Sequence, residues 1–374
     1  MNNNAFDCAI IGGGLAGLTL AIQLADMGRA VVLFEKEKYP FNKVCGEYIS
    51  MESHAFLQRL GIDLSGAPYI TELKVSAPNG NSILRKLDMG GFGISRYTLD
   101  SQLAQLAIKK GVVLFENTKV NDVVREADSF TVKTTTQNYS AKIVCGAFGK
   151  RSSVEKSLGR AKPQHKGRKN YVAVKYHVKA TLPANRIELH NFENGYCGIS
   201  KVDGDKYCLC YLTDSENLAK SGNSIKAMEQ NIVMKNPFLK KYFTESEFLY
   251  QEPLTISQVS FSKKSAIENG VIMLGDAAGT IAPLCGNGMS MAMHASFIAA
   301  SLINNFINGT ISREELYTLY EKQWNKNFAQ RIKTGASLQQ LFGKNYLTNI
   351  SIGMLKVLPL LADKLISMTH GEVF

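Results

Sequence analysis

Residues 9–35 read AIIGGGLAGLTLAIQLADMGRAVVLFE. The residue types that can act on a ligand here are three glycines and one acid. Gly12 permits a tight turn after a short apolar strand, Gly14 leaves room for backbone to approach a pyrophosphate, and Gly17 lets the following helix pack closely on the strand. Leu15 and Ala16 open that helix, whose first N–H groups point unpaired at whatever fills the turn. A second strand, Ala30 to Phe34, stops at Glu35, 23 residues after Gly12. A carboxylate there can accept hydrogen bonds from both hydroxyls of an adenosine ribose. The pattern describes a dinucleotide site and by itself allows NAD or FAD.

A second chemistry-bearing stretch lies far along the chain, VIMLGDAAGTIAPLCGNGMSMAMHAS at 271–296. A strand delivers Gly275 and Asp276 at its end, and small residues follow. Asp276 is placed to hold a ribityl hydroxyl or the water shell of a pyrophosphate. Pro283 starts a glycine loop that runs into a helix. The backbone of Gly286, Asn287, Gly288 and Met289 would meet an isoalloxazine edge, where the helix dipole favours the negative charge of a reduced flavin. Taken together, the two stretches point to FAD, adenosine end first and flavin end more than 250 residues later.

Other elements must position these pieces. After Glu35 a loop, KEKYPFNKVCGEYIS, leads to a helix from Met51 to Leu60, and ELKVSAP with NSILRKL forms a hairpin. A helix follows from Leu99 to Lys110, with Arg96 in the loop before it, then strands at Val112 to Phe115, Thr118 to Val124, Ser129 to Thr135 and Lys142 to Gly146. Between about 156 and 268 the pattern changes to long alternating runs (YVAVKYHV, RIELHNF, GYCGISKV, KYCLCYL), interrupted by a helix at Ser224 to Met234. That describes an antiparallel sheet. The α/β pattern resumes at Val271 to Leu274 and closes with a helix from Met289 to about Ile307. The fold class expected is α/β, α+β overall. A Rossmann-type FAD-binding domain (1–72, 95–155 and 269–310) carries an inserted antiparallel-sheet substrate domain (73–94 and 156–268) and a helical C-terminal tail (311–374).

In the tail, helices are expected at Ser312 to Phe328 and Arg331 to Leu341, followed by an apolar segment at Met354 to Ile366 broken by Pro359. Ser312 and Glu315 form a capping box. The last 35 residues, rich in Leu and Ile with lysines at 344, 356 and 364, read as a tail helix packed over the core; the other reading is an amphipathic face resting on lipid.

Bulk properties narrow the class. With 374 residues, 45% hydrophobic and 20% charged, the chain is an ordinary globular protein long enough for two domains. Seven scattered cysteines form neither a disulfide framework nor a metal set, and no metal is expected. The first apolar segment is a glycine-broken strand rather than a signal peptide. No apolar run reaches the roughly 18 residues that span a bilayer. The localisation expected is cytoplasmic, with peripheral attachment at the inner membrane face as an extension. The net charge is +11. Residues 141–180 carry eleven Lys or Arg against Glu155 alone. That excess suits an acidic carrier protein, an anionic membrane, a phosphorylated nucleotide, or simply solvent. Nucleic acid is not expected, because no recognition motif accompanies the charge.

The motifs resemble the flavoprotein family that groups para-hydroxybenzoate hydroxylase-type monooxygenases, flavin-dependent halogenases and geranylgeranyl reductases. The matching residues are GGGLAGL with Glu35, the RxxLDxxL-like segment at Arg96 to Leu103, GAFGKRSSV at Gly146 to Val154, and GDAAG at Gly275 to Gly279. The resemblance implies that the Arg96 guanidinium lies near the FAD pyrophosphate or ribityl chain and that Val120 packs by the adenine. In the third motif the family's usual Asp-Gly is Gly146-Ala147 here, which removes an aspartate associated with nicotinamide binding. Lys36, beside Glu35, joins the cofactor-binding set. PFNKVCGEYIS resembles the PxxKxCGG segment of the geranylgeranyl reductase group, which brings Lys43, Val44 and Cys45 to the flavin. Cys45 and Tyr48 are then the candidate catalytic residues lining the cavity. The halogenases' WxWxIP segment is absent; the only tryptophan, Trp324, sits in EKQWNKN. The histidines at 54, 165, 177, 190 and 294 show no spacing that suggests a catalytic pair, and His294 reads as a packing residue.

Flavin chemistry asks little of acid and base side chains, since the protein supplies position, shielding and electrostatics. The resemblance implies a FAD-dependent oxidoreductase acting on a hydrophobic small molecule. The leading reaction is hydride transfer from reduced flavin to a carbon-carbon double bond. The alternative is an NAD(P)H-using hydroxylation of an aromatic or polyketide-like substrate. NAD(P)H or another external donor would supply the electrons.

Overall fold

The computed structural model describes residues 5–150, 152–160, 170–259, 264–341, 345–368 and 370–374. In chain order the first elements are β1 (Ala5–Ile11), α1 (Leu15–Asp26), β2 (Val31–Phe34), β3 (Tyr48–Ser50), α2 (His54–Leu60), β4 (Tyr69–Ser76), β5 (Ser82–Gly93) and α3 (Arg96–Lys109). They are followed by β6 (Val113–Phe115), β7 (Val120–Arg125), β8 (Phe130–Thr134), β9 (Asn138–Gly146) and the short α4 (Val154–Ser157). The next stretch holds β10 (Tyr171–Lys179), β11 (Arg186–Phe192), β12 (Gly195–Lys201), β13 (Tyr207–Asp214), α5 (Ser215–Lys220), α6 (Ile225–Asn231) and α7 (Pro237–Glu245). Then come β14 (Glu247–Phe248), β15 (Leu254–Val259), β16 (Ile267–Glu268), β17 (Val271–Met273), α8 (Gly288–Ile307), α9 (Arg313–Leu341), α10 (Asn345–Val357) and α11 (Pro359–Ser367).

Two sheets organise these elements. The first has the order β16-β17-β9-β1-β2-β6, with the hairpin β7–β8 attached through β9. β17, β9, β1, β2 and β6 are mutually parallel, as helix crossovers require. Their strands are near-continuous apolar runs because α1, α3, α8 and α9 bury them. The second sheet has the order β14-β10-β13-β12-β11-β4-β5-β3, with β15 also on β10. It is antiparallel except for one parallel pairing, β4 with β11, which joins the early hairpin to the later strands. One face of it packs on α6 and α7 to form a separate smaller core around Val174, Leu209 and Tyr211.

Some local expectations change. Arg96 is the first residue of α3 rather than a loop residue, because Ser95 takes the N-cap and accepts from the Thr98 N–H at 3.3 Å. The two tail helices at 312–341 are one helix of 29 residues. The intervening Ala329 and Gln330 continue its periodicity, and Trp324, Phe328 and Ile332 form one buried stripe. The capping box at its start is present: Ser312 N–H donates to Glu315 at 2.7 Å, and Glu315 N–H to Ser312 Oγ at 3.2 Å. Helices α5 and α7 were not expected; each starts at a capping side chain, Asp214 and Asn236 respectively. The segment Tyr48–Ser50, read as part of the nucleotide-binding portion, pairs with β5 in the second sheet.

Candidate active site

The glycine turn has the geometry its residues dictate. Gly12 sits at φ +105°, and a Cβ there would meet the Ala147 carbonyl oxygen at 2.5 Å, so the turn abuts the end of β9. Gly17 brings α1 against the same turn, with a Cβ position only 2.0 Å from the Gly12 carbonyl oxygen. Gly14 is different: the only atom near its Cβ position is Arg96 Nη2, at 3.9 Å. It faces open space, and having no side chain it cannot cap α1. Glu35 is buried at the end of β2, with one carboxylate oxygen accepting from Gly13 N–H at 2.8 Å and the other from Glu37 N–H at 3.1 Å. A carboxylate has about four acceptor positions, so room remains for hydroxyl donors.

Arg96 is held by a fork: Nε and Nη2 each donate to Asp100 at 2.7 Å. Lys43 joins it at 3.0 Å from Asp100. Burial opposes the charge on Asp100, and Arg96 and Lys43 outweigh it, holding the carboxyl below the usual range. On the far side, Gly275 at φ +56° wedges between α1 and α8, its Cβ position 3.3 Å from Ala292 Cβ and 3.5 Å from Ala16 Cβ. The first turns of both helices therefore meet at Gly275, beside Asp276. From behind, α9 seals this turn, with Trp324 against Gly279 and Gly335 against Cys285.

These pieces line one continuous cavity of about 2270 Å³. Ordinary small-molecule pockets span roughly 300–1,000 Å³, so the space suffices for a dinucleotide and a second molecule. Of the residues the sequence singles out, Gly12, Gly14, Leu15, Ala16, Glu35, Lys36, Lys43, Val44, Cys45, Tyr48, Arg96, Val120, Ala147, Gly275, Asp276, Pro283, Gly286, Gly288 and Met289 all border it. Gly17, Gly146 and Asn287 do not. Gly17 is turned into the helix-turn contact, Gly146 packs against Phe148 and Met273, and Asn287 is fully buried. Cys45 is half-buried with Sγ 3.5 Å from Met289 Sδ. The Tyr48 hydroxyl is buried without a partner among the described residues, and burial, then the Glu52 carboxylate, push its pKa up.

The sequence reading missed the charge centre of this region. Glu47 stands where the resembling segment has its second glycine, and its own backbone is left-handed, φ 56°. Its carboxylate takes Lys175 Nζ at 2.5 Å, His177 Nε2 at 2.5 Å and the Arg96 N–H at 2.8 Å. Lys175 also donates to the Lys43 carbonyl at 3.1 Å, and Cys208 Sγ to the Cys45 carbonyl at 3.2 Å. Burial disfavours the Glu47 charge, but His177 and Lys175 hold its carboxyl below the usual range. Glu47, His177 and Cys208 place three donor atoms within 4.8 Å of one another, and the lysine ammonium already neutralises the carboxylate. The available signal was the acid itself, in CGE where the segment has CGG. Nothing in β10 marks Lys175 and His177 as its partners.

Among the other histidines, His190 pairs with Glu188 at 2.9 Å, and His294 stacks on Phe374 at 4.3 Å between ring centroids, a packing role as expected. His165 lies outside the described residues. So do Arg151, Lys162, Lys166, Arg168 and Lys169 of the basic region, and the side chain of Lys156. Within the described part, Lys142, Arg160, Lys175 and Lys179 each have a carboxylate partner.

A parallel sheet with a glycine turn, a terminal acid and a second helix N-terminus, joined to an antiparallel sheet across one cavity, is the architecture of a two-part flavoprotein. The chain matches the FAD binding domain family over residues 5–334 and belongs to it. It is similar to the conditioned medium factor receptor 1 of Dictyostelium discoideum, 24% identical over 373 residues, 90% of this chain and 71% of that protein. It is also similar to the digeranylgeranylglycerophospholipid reductase of Methanosarcina acetivorans, 25% identical, covering 90% of this chain and 84% of that one. Among solved structures, a flavin-dependent brominase superposes with a TM-score of 0.80 at 20% identity, covering 98% of this chain and 93% of the other. A geranylgeranyl bacteriochlorophyll reductase-like protein of Thermoplasma acidophilum gives 0.76 at 19%, covering 99% and 92%. The structural likenesses establish the fold. The protein is an FAD-dependent oxidoreductase.

Proposed function

We propose that this oxidoreductase saturates a carbon-carbon double bond in a long, lipid-like substrate of the prenyl-chain class, with NAD(P)H or another external donor supplying electrons. The observation that carries the reading is the cavity beyond the nucleotide-binding turns. From Cys45 and Tyr48 it continues along Leu73, Val75, Ile83, Leu87, Ile187 and Leu189 to the inner faces of α10 and α11. Such a lining suits an extended apolar chain. The similarity to prenyl-lipid reductases supports the same class.

When bound and reduced, the flavin supplies the hydride. The chain's own residues do the rest. The N-terminus of α1 with Gly14 and Arg96 would hold the pyrophosphate, and Glu35 the ribose. The N-terminus of α8, at Gly288 and Met289, would favour negative charge on the flavin. Cys45 and Tyr48 border the space where a substrate carbon must come. The Tyr48 hydroxyl itself is buried, so Tyr48 acts as a wall and the half-buried Cys45 thiol is the group that can give a proton there. Leu73, Val75, Ile187 and Leu189 of the second sheet line that space, and such apolar walls would shield a bound substrate from water.

The test is an anaerobic assay with FAD-loaded protein, chemically reduced, and geranylgeranyl phospholipid in detergent. Oxidation of the flavin with saturation of the chain supports the reading. Failure under those conditions, together with substrate-stimulated NADPH oxidation and oxygen uptake in air on a phenol, would replace it with hydroxylation.

A further inference from the structure

Helices α10 and α11 have two faces with different environments. Their inner faces close the cavity: Ile352 is 1% exposed and Ala362 3%, and both border it with Leu355, Leu365 and Ile366. Arg85 fixes the pair to the second sheet, donating to the Leu355 carbonyl at 3.1 Å and pairing with Asp363 at 3.8 Å. On the outer side of α10, Ile350, Met354 and Val357 follow one another at helical spacing and are all exposed. The turn into α11 then presents Val357, Leu358, Pro359, Leu360 and Leu361 consecutively to solvent, with Val357 at 78% and Leu360 at 83% exposure. Single exposed leucines need no explanation, but five consecutive exposed apolar residues at one convex tip do.

Two further observations identify what covers the tip. Lys356 and Lys364 flank it, both exposed and without a carboxylate partner among the described residues, while Asp363, the acid next to Lys364, is engaged by Arg85. The tip is thus apolar with a basic rim, the complement of an anionic lipid surface. Met354 and Leu361 are at once exposed at the tip and part of the cavity lining, so the cavity opens where the apolar residues are. No helix among the described residues is long and apolar enough to cross a membrane, so contact there is from one side.

We infer that the α10–α11 tip inserts into the surface of an anionic bilayer and that the cavity receives an apolar chain directly from the lipid through the mouth at Met354 and Leu361. The second half rests on the lipid-like substrate of the preceding subsection; the first stands on the surface alone.

The experiment is flotation of the full, FAD-loaded protein with vesicles of phosphatidylcholine and phosphatidylglycerol in equal parts, against vesicles of phosphatidylcholine alone. The wild type should float with the anionic vesicles. The double variant Val357→Asp/Leu360→Asp, whose residues lie outside the cavity lining, should keep its flavin and its circular dichroism. It should lose vesicle partitioning on the order of a hundredfold, as expected when two buried aliphatic side chains are removed. Lys356→Glu/Lys364→Glu should lose about thirtyfold or more on anionic vesicles and little on neutral ones. Unchanged flotation of the aspartate variant overturns the inference. So does a wild-type dimer by light scattering that this variant dissociates, with no vesicle binding, since the tip would then join two copies. Vesicle binding without any alkene reduction upholds the docking surface while removing the substrate reading.

Discussion

Glu47 and Lys175, 128 residues apart, form an ion pair in which neither side chain is exposed to solvent. Glu47 comes from the loop after the second parallel strand and Lys175 from the antiparallel sheet, so the pair ties the two halves together beneath Cys45. A buried pair is costly to break from one side, because the remaining charge has no solvent. Glu47→Gln should therefore lose about 3–5 kcal/mol of stability. Glu47→Gln/Lys175→Met should recover most of it. Urea midpoints of the two variants check this; equal midpoints would show that the lysine finds other solvation.

Gly14 and Gly17 are three residues apart and should fail differently. The space at Gly14 is open, so Gly14→Val should fold and lose the flavin absorbance band as its side chain fills pyrophosphate space. The space at Gly17 is occupied by the Gly12 carbonyl, so Gly17→Val should lower soluble yield and thermal stability first. A Gly14→Val protein that retains its flavin would remove the turn from the cofactor site.

Cys45 is small and half-buried, with its sulfur 3.5 Å from Met289 Sδ. Cys45→Ala should therefore change stability by about 1 kcal/mol or less. Turnover in the anaerobic alkene assay should fall by about tenfold or more. Equal turnover would reduce Cys45 to a filler of the cavity wall.

His294 lies under the C-terminal Phe374, and burial, with Arg331 adding to it, lowers its pKa from 6.5 to about 4. Between those values the unfolded chain binds a proton that the folded one does not. Stability from this site is thus complete above pH 6.5 and declines as pH falls towards 4. His294→Phe keeps the ring stack and removes the titration. Denaturant midpoints of the variant and the wild type should diverge across that window and run parallel above it.

The nucleotide-binding turn, the existence of the buried α/β strands and the alternation of the second sheet were legible because each depends on local rules: glycine at a tight turn, apolar runs under helices, period two in a half-buried strand. Gly12, Gly14, Glu35 and Asp276 could be named for the same reason, each lying next to the element that positions it, whereas Arg96 was named through the family resemblance. Tertiary structure alone decided three things. It set Glu47 against Lys175 and His177, since a carboxylate finds its cations by proximity in space and β10 carries no sign of that loop. It joined the two expected tail helices into one, because Trp324, Phe328 and Ile332 gain more from one continuous stripe on the core than from a break. It turned α10 and α11 so that one face closes the cavity and the other meets solvent, a choice that an evenly apolar segment leaves to the surface it packs on.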